Sequence, residues 1–171
     1  HSTGYAIVAY QTAYLKTFFP AHYMAAFLSF ESQAQKVSDW IPYLEDCKRT
    51  KFINPKTGEV IKVGVEVRPP NVNLSEADFA VVYESKTDRT PDSGHIRFGL
   101  RAIKGAGAKA IDAIIAERDK DGAYGSLFEF CERVPPGTVN KATIEALIKS
   151  GAFDEVHSRD ERASMVATIE Q

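Results

Sequence analysis

Arg101-Ala-Ile-Lys-Gly105-Ala-Gly107-Ala-Lys109-Ala-Ile-Asp-Ala-Ile114 is the stretch on which the reading of this chain turns. Two glycines, two residues apart, let the backbone turn sharply and let something large come close to it. The second stands where an amphipathic helix begins, with Ala108, Ile111, Ile114 and Ile115 on one face. The N–H groups of Gly107, Ala108 and Lys109 then have no partner inside the helix. The helix dipole adds partial positive charge there, and a phosphate is the natural ligand for such a terminus. Lys104 and Lys109 flank the turn with full positive charge. The plainer alternative is a glycine-rich turn that only joins two packed helices.

The pattern resembles a helix-hairpin-helix, a motif that grips the nucleic-acid backbone without reading bases. That likeness makes Arg101, Lys104, Gly105, Ala106, Gly107, Ala108 and Lys109 the candidate DNA-phosphate-binding residues. The 171 residues suffice for one large or two small domains, and 44% hydrophobic content supports an ordinary core. The formal net charge of −2 excludes a uniformly basic nucleic-acid binder. DNA contact must therefore come from local potential. Arg97, Arg101, Lys104 and Lys109, with no acid between them, supply a basic patch; the alternative is a solvated charged face.

Cys47 and Cys131 are far apart and fit buried thiols in a reducing compartment better than a disulfide scaffold. No signal peptide is expected. The longest apolar stretch, near Tyr23 to Phe30, is too short to span a bilayer and is interrupted by Ser29. A start at His1 rather than Met, entering an apolar pattern at once, suggests a piece of a longer protein.

Three helices are predicted to open the chain. Tyr5 to Phe18 is apolar on most sides, which predicts a buried helix or one packed between neighbours. Pro20 starts a second helix through Tyr23, Met24, Phe27 and Leu28. A third, from Val37 to Cys47, is kinked or restarted at Pro42. Phe52-Ile53 and Val60 to Val63 predict a hairpin, and Val65–Arg68, Phe79–Tyr83 and His95–Phe98 predict strands, with a polar loop from Lys86 to Gly94. The chain is helical again from Gly99. Ser126-Leu-Phe-Glu129 fits a capping box, Asn140 caps a helix closed by Gly151, and Arg159 to Glu170 is the last helix. Lys149-Ser-Gly-Ala-Phe153 reads as a second, degenerate hairpin. The expected core of this half is Ile103, Ile111, Ile114, Leu127, Phe130, Ile144, Leu147 and Phe153.

Five blocks carry a wider resemblance: His1-Ser-Thr-Gly-Tyr5-Ala-Ile-Val-Ala-Tyr10-Gln-Thr-Ala-Tyr-Leu15-Lys with Phe19-Pro-Ala-His-Tyr-Met24-Ala-Ala, then Val67-Arg-Pro-Pro-Asn-Val-Asn73, Ile96-Arg-Phe-Gly-Leu-Arg-Ala-Ile-Lys-Gly105, Ser126-Leu-Phe-Glu-Phe-Cys-Glu-Arg133 and Ala146-Leu-Ile-Lys-Ser-Gly-Ala-Phe-Asp154. In this order they are similar to the catalytic (alpha) subunit of bacterial replicative DNA polymerase III, a C-family polymerase, over nearly the whole chain. Residues 51–64 and the loop around Lys86 to Ser93 look longer than in that family, as an inserted hairpin and an extended loop. The resemblance implies the end of the fingers over residues 1–50, a β-containing linker over 51–98 and a helix-hairpin-helix, duplex-binding module over 99–171. It places the palm aspartates that hold magnesium in the parent polymerase before His1. It also places His1 and Tyr5 near the nucleotide or template, although Tyr5, Tyr10, Tyr14 and Leu15 equally suit simple helix packing. Implied partners are double-stranded primer-template DNA, the rest of the polymerase chain, the sliding clamp and other replisome subunits, in the bacterial cytoplasm and nucleoid, with no membrane. An error-prone relative is the nearest alternative within the family; the blocks around Phe128 and Ser150 look more like the replicative form.

The chain is expected to have no catalysis of its own. Asp119-Lys-Asp121-Gly is a tight carboxylate pair without the further ligands of a calcium loop and reads as a helix-ending turn. The four histidines are scattered, without metal-ligand spacing, and no site for a metal or another cofactor is expected. Gly105-Ala-Gly107 lacks the third glycine of a dinucleotide fingerprint. The expected fold is mainly α with a small β element (α+β): a helical fingers segment followed by a tandem helix-hairpin-helix-like module. The expected role is non-specific duplex binding within a polymerase. The alternatives are a structural linker between fingers and clamp-binding region, and a helix-hairpin-helix subunit of a repair nuclease.

Overall fold

A computed structural model describes residues 1–34 and 36–169. The chain divides into two compact units, His1–Arg68 with Ala80–Ile96, and Pro69–Phe79 with Arg97–Gln171. It therefore leaves the first unit at Pro69, returns at Ala80 and leaves again at Arg97. The architecture is mainly α with two small sheets, as the periodicities predict.

The first unit opens with α1 (Ser2–Phe18) and α2 (Pro20–Ala34). Pro20 falls in the first turn of α2, where its missing N–H costs nothing. The third helix does restart at proline: α3 (Val37–Trp40) ends and α4 (Pro42–Arg49) begins with Pro42. The core holds Met24, Ala25 and Leu28 of α2 with Trp40, Cys47 and Phe52. The expected hairpin is present as β1 (Lys51–Ile53) antiparallel to β2 (Val60–Val63). Asn54 makes its turn by accepting from the N–H groups of Lys56 and Thr57 at 2.9 and 3.3 Å. A second sheet has the order β3 (Val67–Arg68), β5 (His95–Arg97), β4 (Ala80–Val82).

Of the two alternatives expected for the first helix, burial does not hold. No residue of α1 is buried, and Tyr5, Ile7, Val8 and Tyr10 are more than half exposed. The helix lies against α2 and β1, which cover one flank of a cylinder that is apolar on most sides. Tyr14 and Phe18, one turn apart, meet with their rings tilted by 53° and centroids 4.6 Å apart.

The second unit is helical: a 3-10 turn (Leu100–Ala102), α5 (Ala108–Asp121), α6 (Leu127–Arg133), α7 (Lys141–Ser150), a 3-10 turn (Arg159–Glu161) and α8 (Arg162–Thr168). The predicted end of the last helix at Glu170 lies outside the described residues. All eight expected core residues are buried, none more than 9% exposed. Phe130 is central, with its ring edge-on to Tyr124 at 4.8 Å and to Phe153 at 5.1 Å. Ser126 Oγ accepts from the Glu129 N–H at 3.1 Å. The capping box is shifted by one residue, because Glu129 Oε2 accepts from the N–H of Gly125 rather than of Ser126, at 2.9 Å. Asn140 Oδ1 caps α7 through the Thr143 N–H at 2.9 Å. Gly151, at φ +87°, ends α7 in the left-handed conformation, and the Ala152 N–H reaches back to Leu147 O at 3.0 Å.

The segment 69–79 belongs to this unit. Asn71 Oδ1 accepts from the N–H groups of Asn73 and Leu74, and the Val72 N–H donates to Ala152 O at 2.8 Å. Asn71 thus organises the turn that follows it, and its own carbonyl accepts from the Ser75 N–H at 2.8 Å.

Candidate nucleic-acid interface

The glycine turn runs from the 3-10 turn at Leu100–Ala102 into α5. Ile103 is buried and anchors it, and the Ala106 N–H closes back onto Ile103 O at 3.1 Å. Gly105 has φ +94°, a conformation that a side chain strongly disfavours, and a Cβ there would also meet Ala146 at 3.4 Å. Gly107 is different. It is the N-cap of α5, with φ −69° and ψ 142°, and a Cβ there would meet nothing within 4 Å. Neither conformation nor crowding demands glycine at 107. Ser, Asp or Asn would cap the helix better. No side chain caps α5, whereas Ser126 and Asn140 cap α6 and α7.

The exposed turn therefore presents helix N–H groups at Gly107, Ala108 and Lys109, with positive dipole potential along them. Lys104 and Lys109 are exposed, and neither makes an ion pair among the described residues. Such a surface suits an anion whose oxygens accept from backbone N–H groups while two ammonium groups approach it.

The two arginines of the sequence patch do not lie open beside the lysines. Arg97 is buried, donating to Pro69 O at 3.2 Å and to Glu155 at 3.1 Å. Its charge is spent inside the unit, which corrects its place in a surface patch. Arg101 is partly exposed and forks between Asp112, at 2.6 Å, and Asp78, at 3.5 Å. The hydrogen bond to Asp112 raises the pKa of its guanidinium above the ordinary arginine value.

Of the expected site residues, the fold gathers Arg101, Lys104, Gly105, Ala106, Gly107, Ala108 and Lys109 on one hairpin. His1 and Tyr5 belong to the other unit, exposed at the start of α1. The second hairpin, around Gly151, is filled from within. Arg162 pairs with Asp154 and donates to Lys149 O at 3.2 Å, placing a guanidinium on the carbonyl end of α7. Asp121 ends α5, and among the described residues no three or more His, Cys, Asp or Glu side chains gather to hold a metal ion.

Three residues that brace the second unit around α5 were not singled out in the sequence as doing so. Arg118, buried on α5, donates to Ser75 O at 2.6 Å and ties the segment 69–79 to the helix. Arg133 donates to Gly122 O at 2.7 Å, closing the C-terminal end of α5, and its guanidinium lies 4.4 Å from the Tyr124 ring centroid. Asn73 joins Tyr124 by two hydrogen bonds. Arg133 acts over a short span, 11 residues from Gly122; the other two depend on contacts more than 40 residues apart.

Residues 64–164 match the helix-hairpin-helix motif family. The chain is also similar to DNA polymerase III subunit alpha of Pseudomonas aeruginosa, 37% identical over 99% of this chain and 13% of that protein. The corresponding subunit of Deinococcus radiodurans is 37% identical over 99% of this chain and 11% of its own length, and that of Thermus aquaticus 36% over 99% and 12%. The chain thus spans about an eighth of the curated relatives it matches. Among the described residues no helix is long and apolar enough to cross a membrane. With its glycine turn at the start of α5 inside the matched region, the chain belongs to the helix-hairpin-helix motif family, and along nearly its whole length it is similar to one segment of bacterial DNA polymerase III alpha subunits.

Proposed function

We propose that this chain is the segment of a bacterial replicative DNA polymerase that holds duplex DNA through its backbone phosphates. The observation that carries the reading is the uncapped, exposed N-terminus of α5 at Gly107, where a capping side chain would fit, with Lys104 and Lys109, which make no ion pair among the described residues, beside it. A phosphate oxygen would accept from the N–H groups of Gly107, Ala108 and Lys109. Arg101, Gly105 and Ala106 complete the hairpin that presents them. No base edge is read, so every duplex sequence is held alike.

On this reading the whole polymerase extends primers in chromosome replication, with magnesium held by carboxylates outside this segment. It works with the rest of its chain, the sliding clamp and other replisome subunits. The end of the fingers covers residues 1–50, followed by the linker over 51–98 and the binding module over 99–171. His1 and Tyr5 face the nucleotide or template.

A second reading, a structural linker with little DNA affinity, is favoured by the net charge of −2 and by the internal pairing of Arg97, Arg101, Arg118, Arg133 and Arg162. The two readings separate in duplex binding by the 171-residue chain at low salt. Weak, sequence-independent binding supports the first, and no binding supports the second.

A further inference from the structure

We propose that Arg101 is a positioning residue: its fork onto Asp112 and Asp78 sets the glycine turn against α5 and does not itself contact phosphate. This rests on the duplex-holding reading above and assigns a different task to one of its residues.

The 3-10 turn that carries Arg101 is pinned twice. Its backbone is held by the segment before it: the Leu100 N–H donates to Glu76 O at 3.0 Å, and the Arg101 N–H to Ala77 O at 2.9 Å. Its side chain crosses to the helix after the glycines, where Arg101 Nη2 donates to Asp112 Oδ1 at 2.6 Å. Asp112 is four residues after Ala108, so it lies one turn above the first residue of α5 on the same face. The guanidinium therefore bridges the two ends of the Ile103–Gly107 turn. The second arm, to Asp78 at 3.5 Å, fixes its orientation.

The same arrangement argues against a phosphate ligand. A phosphate drawn to Arg101 would face the Asp112 and Asp78 carboxylates, both already paired with it, and like charges at such range oppose binding. Lys104 and Lys109 have no such acids paired to them among the described residues. A planar guanidinium also suits the fork, since one lysine ammonium cannot present two donors in fixed directions.

The test is a salt series of binding between the whole chain and a short fluorescently labelled DNA duplex, for the parent, Asp112→Asn, Arg101→Lys and the Lys104→Ala/Lys109→Ala double variant. Positioning predicts that Asp112→Asn weakens binding by roughly two- to fivefold, although it removes a negative charge, with the salt slope unchanged. Arg101→Lys weakens it similarly while keeping the charge. Amide exchange at residues 105–109 quickens in both, while that of α7 stays as in the parent. If Arg101 is instead a phosphate ligand, Asp112→Asn tightens binding by freeing it, and Arg101→Lys leaves affinity near that of the parent; either result overturns the proposal. If the double lysine variant binds like the parent, the duplex-holding reading fails and this proposal with it. If that variant fails to match the parent while Asp112→Asn tightens binding, only the role of Arg101 is lost.

Discussion

Asn73 and Tyr124, 51 residues apart, close a two-way hydrogen bond: the Tyr124 N–H donates to Asn73 Oδ1 at 2.7 Å, and Asn73 Nδ2 donates to Tyr124 O at 2.9 Å. The asparagine side chain acts as an extra peptide unit and satisfies the backbone of a residue whose own hydroxyl donates to Ile114 O at 2.7 Å. Tyr124 thereby links the segment 69–79, α5 and the aromatic core. Asn73→Ala leaves a partly buried N–H and C=O unpaired. The expected loss is about 1–3 kcal/mol of stability, read by urea unfolding. Duplex affinity per folded molecule should stay as in the parent, since no binding group is touched.

The two turn glycines should separate folding from binding. Gly105→Ala meets a positive φ and is expected to cost about 1–3 kcal/mol in unfolding measurements. Gly107→Ser meets open space at an N-cap that lacks a side-chain bond, so stability should hold or rise. Its side chain would nonetheless stand in front of the α5 N–H groups and compete for them. Duplex binding should weaken in a protein that is no less stable, and unchanged binding by Gly107→Ser would count against phosphate contact at this terminus.

Thiol labelling should resolve the two cysteines. Cys131 is exposed and reacts in the native state, while Cys47 is buried and reacts only after unfolding. Burial, reinforced by the charge of Asp46, pushes the Cys47 thiol from 9.0 up to about 11. The folded chain therefore keeps a proton that the unfolded chain releases. The stability tied to this group is complete below pH 9 and declines as pH rises from about 9 to about 11. Cys47→Ala should reduce that alkaline decline in urea midpoints measured across the same range.

Primer extension by the purified chain, supplied with magnesium and nucleotides, is expected to be absent, because two-metal nucleotidyl transfer needs a carboxylate cluster at the primer end. Extension that copurifies with the chain would place catalytic carboxylates within it.

Much of the second unit could be read locally. Ser126, Asn140 and Gly151 each announce a helix end, and Gly105 a turn, through chemistry confined to a few residues, and the apolar period picks out its core. What escaped the sequence was tertiary. Arg97 and Arg101 look like surface cations until Glu155 and Asp78, 58 and 23 residues away, are seen to pair with them. The all-round apolar pattern of α1 fixes neither which flank is covered nor how much. The capping glutamate slipped by one residue because Gly125 offered an N–H within its reach.

The most direct test of the account is the salt dependence of duplex binding by the parent chain and by Lys104→Ala/Lys109→Ala. The account predicts that the double variant weakens binding to all duplex sequences alike and flattens the log–log salt slope by roughly two, about 0.9 for each lost phosphate contact. Equal affinity at low salt with the same slope would contradict it and make the hairpin a structural turn.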